Sequence, residues 1–214
     1  EDPVEYELDE INQVQVRPEI GLTFARCLRH ILRQDPNVIM IGEMRDLETT
    51  EIAVRAALTG HLVLSTLHAN NAPAVVSRLT DIGIPDYLIT ASLNLAVAQR
   101  LIRRLCPECK EEFTPSAELL ERLGTPPPEG TITFCRPVGC EECDYLGYRG
   151  RIGVYELMLL DNEVRELILQ KAPTHVLRQA ALEAGMITLK QDAMQKILEG
   201  ITTMEEALRV IYTE

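Results

Sequence analysis

Four of the six cysteines stand in two pairs, Cys106-Pro107-Glu108-Cys109 and Cys140-Glu141-Glu142-Cys143, with 30 residues between the pairs. Two such knuckles can place four thiolates tetrahedrally about Zn²⁺. Four sulfurs leave no position open for water, so the metal role expected of Cys106, Cys109, Cys140 and Cys143 is structural. Redox-active dithiols or ordinary core cysteines are the alternative. A metal there would help a loop-rich stretch with little apolar surface to offset its ordering entropy. Arg100, Arg103, Arg104, Arg149 and Arg151 flank the pairs and could balance the negative charge of a four-thiolate site, or bind anions or a partner. Cys27 and Cys135 have no spaced partner and read as packed residues.

The second constellation is acidic. Val38-Ile39-Met40-Ile41 runs into Gly42-Glu43-Met44-Arg45-Asp46, the form of a Walker B region, in which a buried strand delivers a carboxylate to a nucleotide-bound Mg²⁺. A hard cation takes oxygen ligands, which makes Glu43 the candidate. His61 and His68 flank the next apolar run at its two ends. Ser65-Thr66-Leu67-His68-Ala69-Asn70 puts polar groups beyond that run's carboxyl end, where ligand sites of α/β folds lie. A histidine there could contact a phosphate or simply bond neighbouring backbone. Zinc binding by these two is not expected, because seven residues across one strand direct them to opposite faces.

The elements that must position these groups follow from periodicity. Phe24, Leu28, Ile31 and Leu32 repeat at three and four residues, so 22–32 is predicted helical and Pro36 ends it. Val38–Ile41 lacks polar alternation, as expected of a strand covered on both faces. Asp46–Leu58 is helical by composition and closes at Gly60; His61–Thr66 is a second buried strand, and strand, helix, strand makes a parallel βαβ unit. Asn71 and Pro73 start a helix bearing Val75, Val76, Leu79 and Ile82, and Gly83 ends it. A longer helix is predicted from Asp86 to Leu105. Residues 106–150, with Pro126-Pro127-Pro128, several glycines and a short helix around Ser116–Leu123, read as an inserted module. A strand over Arg151–Glu156 precedes four short helices near Asn162–Gln170, Thr174–Ala184, Leu189–Glu199 and Met204–Tyr212.

Composition narrows the function classes. At 214 residues with 46% hydrophobic content the chain can bury one substantial core and a satellite. A net charge of −12 with 4% aromatic residues disfavours a nucleic-acid partner, which needs a basic face and stacking rings. No apolar run approaches the roughly 20 residues of a membrane span. Cysteines spaced for metal, with no apolar signal segment, suggest reducing cytosol. Glu1-Asp2-Pro3-Val4-Glu5 reads like the end of a strand entering a loop, so truncation upstream is expected.

Glu1-Asp2-Pro3-Val4-Glu5, Ile41-Gly42-Glu43-Met44-Arg45-Asp46 and Thr59-Gly60-His61-Leu62-Val63-Leu64-Ser65-Thr66-Leu67-His68 resemble, in order, the Asp box, Walker B and His box of the type II/type IV secretion ATPases. Gly139-Cys140-Glu141-Glu142-Cys143 and Gly147-Tyr148-Arg149-Gly150-Arg151 resemble the tetracysteine module of that family's assembly branch, the type II secretion ATPase and the pilus-extension ATPase. The likeness spans nearly the whole chain. It implies an α/β fold with a RecA-like P-loop NTPase core over 1–105, an inserted tetracysteine zinc module over 106–150 and a mostly helical subdomain over 151–214. It also implies a hexameric, cytoplasmic ATP hydrolase at a bacterial inner membrane, working with a platform protein and a membrane-recruiting subunit. By this resemblance Glu43 would share in Mg²⁺ coordination, and Glu5, with Glu1 as rival, would orient or deprotonate the attacking water. His61 and His68 would sense the γ-phosphate or link to a neighbouring subunit, and Arg29, Arg33 or Arg45 would stabilise developing charge. One departure stands out: no Gly-x-x-x-x-Gly-Lys-Ser/Thr occurs in the sequence. Without that phosphate cradle the chain alone is expected to be inactive, as the C-terminal part of a longer enzyme. The alternative is a non-enzymatic zinc-containing adaptor that docks a partner of a secretion complex.

Overall fold

The computed structural model describes residues 1–116 and 133–211. The chain forms two compact units, 1–96 with 158–184, and 97–157 with 185–214. Each takes sequence from both sides of the borders expected at 105 and 150.

The first unit is built on a parallel strand pair. Strands β1 (Val38–Ile41) and β2 (Leu62–Ser65) run in register, Val38 beside Leu62 and Ile41 beside Ser65. The crossover between them is helix α2 (Leu47–Leu58). Asp46 starts α2, its Oδ1 accepting from the Thr49 amide at 2.8 Å, because the first-turn amides of a helix have no partner within it. Helix α1 (Phe24–Ile31) begins at Thr23 in the same way. Leu28 of α1, Ile39 and Ile41 of β1, and Ala53 and Ala56 of α2 close one core cluster. Helices α3 (Ala74–Ile82) and α4 (Asp86–Ser92) build a second, in which Leu79, Ile84 and Ile89 pack on Val54. Helices α5 (Asn162–Leu169) and α6 (Thr174–Glu183) complete the unit, with Ser77 and Thr174 hydroxyls 2.8 Å apart.

The strand β1 and the segment that follows α4 differ from what their sequences suggest. β1 is not covered on both faces: Ile39 and Ile41 are buried while Val38 and Met40 are exposed, as are Leu62 and Leu64 beside them. The core cluster draws α1 and α2 onto the Ile39 and Ile41 side, and among the described residues the sheet has two strands. The long helix to Leu105 is also not formed. The chain leaves the helix at Leu93 and enters strand β3 (Leu95–Leu105), which pairs with β6 (Tyr148–Leu159). Leu95-Ala96-Val97-Ala98-Gln99-Arg100-Leu101 is rich in helix formers, yet burial alternates with period two, Ala96, Ala98 and Ile102 inward. Pairing with β6 overrides local propensity.

The second unit holds the β3 and β6 residues 97–105 and 148–157, an antiparallel pair β4 (Glu111–Phe113) and β5 (Phe134–Arg136), and helices α7 (Leu189–Leu198) and α8 (Met204–Ile211). Apart from Ser116, the short helix expected around Ser116–Leu123 lies outside the described residues, as does Tyr212 at the end of the last predicted helix. A polar web ties α8 to β3. Glu206, 2% exposed, accepts from the Arg103 guanidinium at 2.5 Å and the Arg103 amide at 3.1 Å, and Arg209 adds a further bond at 3.1 Å. Arg103 in turn lies 4.2 Å from the centre of the Tyr148 ring, and the Tyr148 hydroxyl is 3.0 Å from that of Thr203.

Burial alone would push the Glu206 carboxyl up, but its bonds from Arg103 and Arg209 outweigh this and hold it at about 2. Relative to an ordinary glutamate this is worth at most about 3 kcal/mol, less because both arginines are partly in water. The contribution is complete above the unfolded value near 4.5 and fades as pH falls towards 2. Glu206→Gln is therefore expected to destabilise the second unit by about 1–3 kcal/mol at pH 7. Urea unfolding of both forms at stepped pH should show that gap narrowing below pH 4.5.

Candidate functional site

Glu43 lies just past the carboxyl end of β1, turned inward so that its side chain is 16% exposed. The turn is stitched to the end of β2: the Thr66 hydroxyl donates to the Gly42 carbonyl at 2.6 Å, and the Met44 amide donates to the Thr66 carbonyl at 3.1 Å. This stitching brings His68 Nε2 to 3.3 Å from Glu43 Oε2. Arg45 Nε donates to the same oxygen. One carboxylate therefore meets a guanidinium and an imidazole beyond the carboxyl ends of two parallel strands, the usual ligand position of an open α/β sheet.

The acidic segment at the start of the chain reaches the same end. A Cβ built on Gly42 would stand 3.5 Å from the Glu1 Cα, so Glu1 backbone lies directly against the residue that precedes Glu43. Gln13 holds this segment, its side-chain amide donating to Glu1 Oε1 and to the Tyr6 carbonyl, each at 2.9 Å, while its oxygen accepts from the Leu8 amide at 2.7 Å. Glu5 is exposed farther along. Gln13 was not anticipated, because a glutamine in Asn12-Gln13-Val14-Gln15 carries no spacing signal. Among the arginines, Arg29 is paired to Glu48 of α2 at 2.6 Å and Arg33 is exposed, so Arg45 is the one drawn to Glu43. His61 sits at the other end of β2, its Nδ1 3.0 Å from the Ala56 carbonyl and 3.3 Å from the Thr59 hydroxyl. A carbonyl only accepts, so Nδ1 carries the proton, and His61 bonds the last turn of α2.

The four cysteines converge in the second unit. Their sulfurs all lie within 4.8 Å of one another, with Cys106 to Cys140, Cys109 to Cys143 and Cys140 to Cys143 each at 3.8 Å. A tetrahedron of sulfurs with metal–sulfur bonds of about 2.3 Å has edges of about 3.8 Å, the spacing of these three pairs, so the set could hold a metal. All four are free thiols and not disulfides. Backbone amides support the sulfurs: Gly139 donates to Cys109 at 3.2 Å, Cys140 to Cys143 at 3.3 Å and Gly147 to Cys143 at 3.2 Å. The Cys140 amide, ahead of opposing burial and with help from Gly147, lowers the Cys143 thiol to about 7, whereas burial pushes Cys140 up to about 12. A metal must displace protons from the higher thiols, so its affinity rises with pH.

Gly147 is the hinge of this arrangement. It adopts φ 76°, a Cβ there would fall 2.4 Å from the Pro137 Cβ, its amide serves Cys143 and its carbonyl accepts from the Cys106 amide at 3.0 Å. Gly147→Ala is expected to weaken metal affinity by about 10- to 100-fold, the usual effect of disturbing groups that support ligands. Gly150→Ala serves as control: its φ is 73°, but no atom lies within 4 Å of the added Cβ, so strain alone remains. Competition with a chromogenic chelator would check both.

The fold and the acidic site define an α/β protein with the RecA-like core of secretion ATPases. A crystal structure of the pilus retraction motor PilT with bound ADP superposes with TM-score 0.67 at 30% identity, over 98% of this chain and 50% of that one. The ATPase DotB of Legionella pneumophila shares the fold, with TM-score 0.63 at 23% identity over 96% of this chain and 48% of its own. The chain belongs to the type II/IV secretion system protein family, whose model matches residues 1–209. It is 52% identical over 211 residues to the type IV pilus assembly ATPase PilB of Myxococcus xanthus and 47% identical over 210 residues to the type II secretion system ATPase E of Vibrio cholerae. These matches cover 97% and 98% of the chain but 37% and 41% of those relatives. Among the described residues no helix is long and apolar enough to cross a membrane.

Proposed function

We propose that this chain is part of a cytoplasmic, homohexameric ATPase that couples ATP hydrolysis to type II protein secretion or type IV pilus assembly. The observation that supports this most is the meeting of Glu43, Arg45 and His68 beyond the carboxyl ends of β1 and β2. In this reading Glu43 would offer a carboxylate oxygen to a nucleotide-bound Mg²⁺. When bound, Mg²⁺ neutralises charge on the transferring phosphoryl group. Arg45, held beside Glu43, turns to phosphate oxygens as charge develops, and His68 presents its ring at the same place. Glu5 or Glu1 orients the attacking water, and the packing of Glu1 against Gly42 favours a short reach for this segment. His61, engaged with the end of α2, serves the contact to a neighbouring subunit.

The same proposal gives residues 1–105 the nucleotide chemistry, 106–150 a structural Zn²⁺ on Cys106, Cys109, Cys140 and Cys143, and 151–214 the helical support. The motor sits on the inner face of a bacterial inner membrane through a platform protein and a recruiting subunit, without nucleic acid. This chain alone, having no phosphate loop, does not turn over ATP. The test is Mg²⁺-dependent phosphate release by a protein extended to the length of its relatives. Turnover that needs both Mg²⁺ and Glu43 supports the reading; turnover indifferent to Glu43 defeats it.

A further inference from the structure

The acidic segment leaves Glu1 and returns to it. The Glu1 nitrogen donates to the Val14 carbonyl at 2.9 Å, and the Glu1 carbonyl accepts from the Val16 amide at 3.0 Å. Both are backbone atoms, so the same bonds are open to a residue inside a longer chain. The reversal falls after Leu8, where Glu10 adopts φ 65° and the Ile11 amide reaches the Leu8 carbonyl at 3.4 Å. From Asp2 to Asn12 every residue except Val4 is exposed. Packing therefore does little to set the shape of this excursion, and hydrogen bonds must set it.

Gln13 makes three such bonds from one side chain. Its amide nitrogen donates to Glu1 Oε1 and to the Tyr6 carbonyl, each at 2.9 Å, and its oxygen accepts from the Leu8 amide at 2.7 Å. Both donors and one lone pair are thereby used. The partners fix which way the amide faces: turned over, it would set its oxygen against a carboxylate and a carbonyl, and its NH₂ against an N–H. The bond to Glu1 has a charged acceptor and is the strongest kind of the three. Among the described residues Glu1 Oε2 accepts no hydrogen bond. Gln13 thus holds one oxygen of the carboxylate and leaves the other able to accept. Glu5 is exposed and has no comparable holder among the described residues.

We propose that Gln13 is a positioning residue for hydrolysis, fixing the Glu1 carboxylate so that its free oxygen meets the attacking water. This rests on the reading in which an acid of this segment orients that water, and deepens it by naming Glu1 and the group that holds it. In the step served, the water oxygen bonds to the γ-phosphorus as the bond to the bridging oxygen breaks. ADP leaves with the electron pair, and the water's proton passes to Glu1 and on to solvent. Gln13 acts through the carboxylate, so its loss lowers turnover and not nucleotide affinity; a misplacement of about 1 Å at such a group costs about 10²-fold.

The test measures steady-state phosphate release by a protein extended to the length of its relatives. Gln13→Met keeps the length of the side chain and removes its bonds; kcat is expected to fall about 10- to 100-fold with KM for Mg²⁺–ATP within about twofold. Gln13→Glu keeps an acceptor for the Leu8 amide and sets a second negative charge against Glu1. It should lose as much, and it stands in if Gln13→Met does not fold. Gln15→Ala, exposed on the same segment, leaves kcat within about twofold. Glu1→Gln makes the decisive comparison: in that background neither change at Gln13 should cost more than about a further twofold. Turnover within about threefold of the parent in both Gln13 variants, their full loss repeated in the Glu1→Gln background, a loss in KM alone, or a Glu1→Gln protein as active as the parent would overturn the proposal. Glu43→Gln measured alongside separates this from the motor reading. Turnover indifferent to Glu43 defeats that reading, whereas turnover that needs Glu43 and not Gln13 defeats only the role of Gln13.

Discussion

A chain carrying Cys106→Ser is expected to purify without zinc and with its second unit largely unfolded, while the first unit keeps its structure. Cys106 is fully buried, its sulfur 3.8 Å from that of Cys140 and its amide bonded to the Gly147 carbonyl. A serine hydroxyl is a harder and shorter donor, so the site falls to three sulfurs. Binding of a structural zinc is worth about 10 kcal/mol or more, comparable with the whole stability of a domain. Much of the surrounding order depends on the same backbone: Tyr148, adjacent to Gly147, packs under Arg103, which holds Glu206 of α8. Hydrogen exchange resolved by peptide should therefore lose protection over β4, β5, β6 up to residue 157, α7 and α8. Protection over α1, β1 and α2 should persist. A variant with one zinc per chain and unaltered exchange would show that the sulfurs do not carry this unit.

In a protein extended to the length of its relatives, Glu43→Gln is expected to lower Mg²⁺-dependent phosphate release by about 10²- to 10³-fold, the usual effect of losing a preorganised electrostatic group at phosphoryl or acyl transfer. Glutamine keeps the shape and one oxygen for Arg45 and His68 but removes the charge that a hard cation requires. Folding should change little, since Glu43 lies outside the two core clusters. Activity should therefore be lost from a protein that still melts normally. Loss of turnover through unfolding, or a rate within a few fold of the parent, would contradict the assignment.

How much of this was legible beforehand depended on how local each signal is. The convergence of the four sulfurs was legible because Cys-x-x-Cys geometry is set within four residues and two such pairs suit one tetrahedral metal. The βαβ unit was legible because Asp46 caps α2 and Gly60 follows its end, cues that act within a turn. The strand character of Leu95–Leu105 was not, since its alanines, leucines, glutamine and arginines fit a helix equally well and β6 lies about 50 residues away. The bare face of β1 escaped notice because an unbroken apolar run reports hydrophobicity and not which neighbours are present. At the acidic site, box order pointed to Glu43 but left His61 beside His68 and Arg29 and Arg33 beside Arg45; the approach of Arg45 and His68 to Glu43, and the hold of Gln13 on Glu1 and of Thr66 on Gly42, came only from three-dimensional proximity. The Arg103–Glu206 pair, 103 residues apart, had no local signature at all.

Whether Glu43 stands against the metal of a bound nucleotide can be read by replacing Mg²⁺ with Mn²⁺ in the extended protein. Electron paramagnetic resonance of the Mn²⁺–ATP complex would be recorded for the parent and for Glu43→Gln. A carboxylate in contact with the metal gives a protein-bound Mn²⁺ spectrum that the substitution alters together with weaker Mn²⁺–ATP binding, while metal-free ATP binds both proteins alike. A bound spectrum of identical shape and affinity in the two proteins would place the carboxylate away from the metal and contradict that contact.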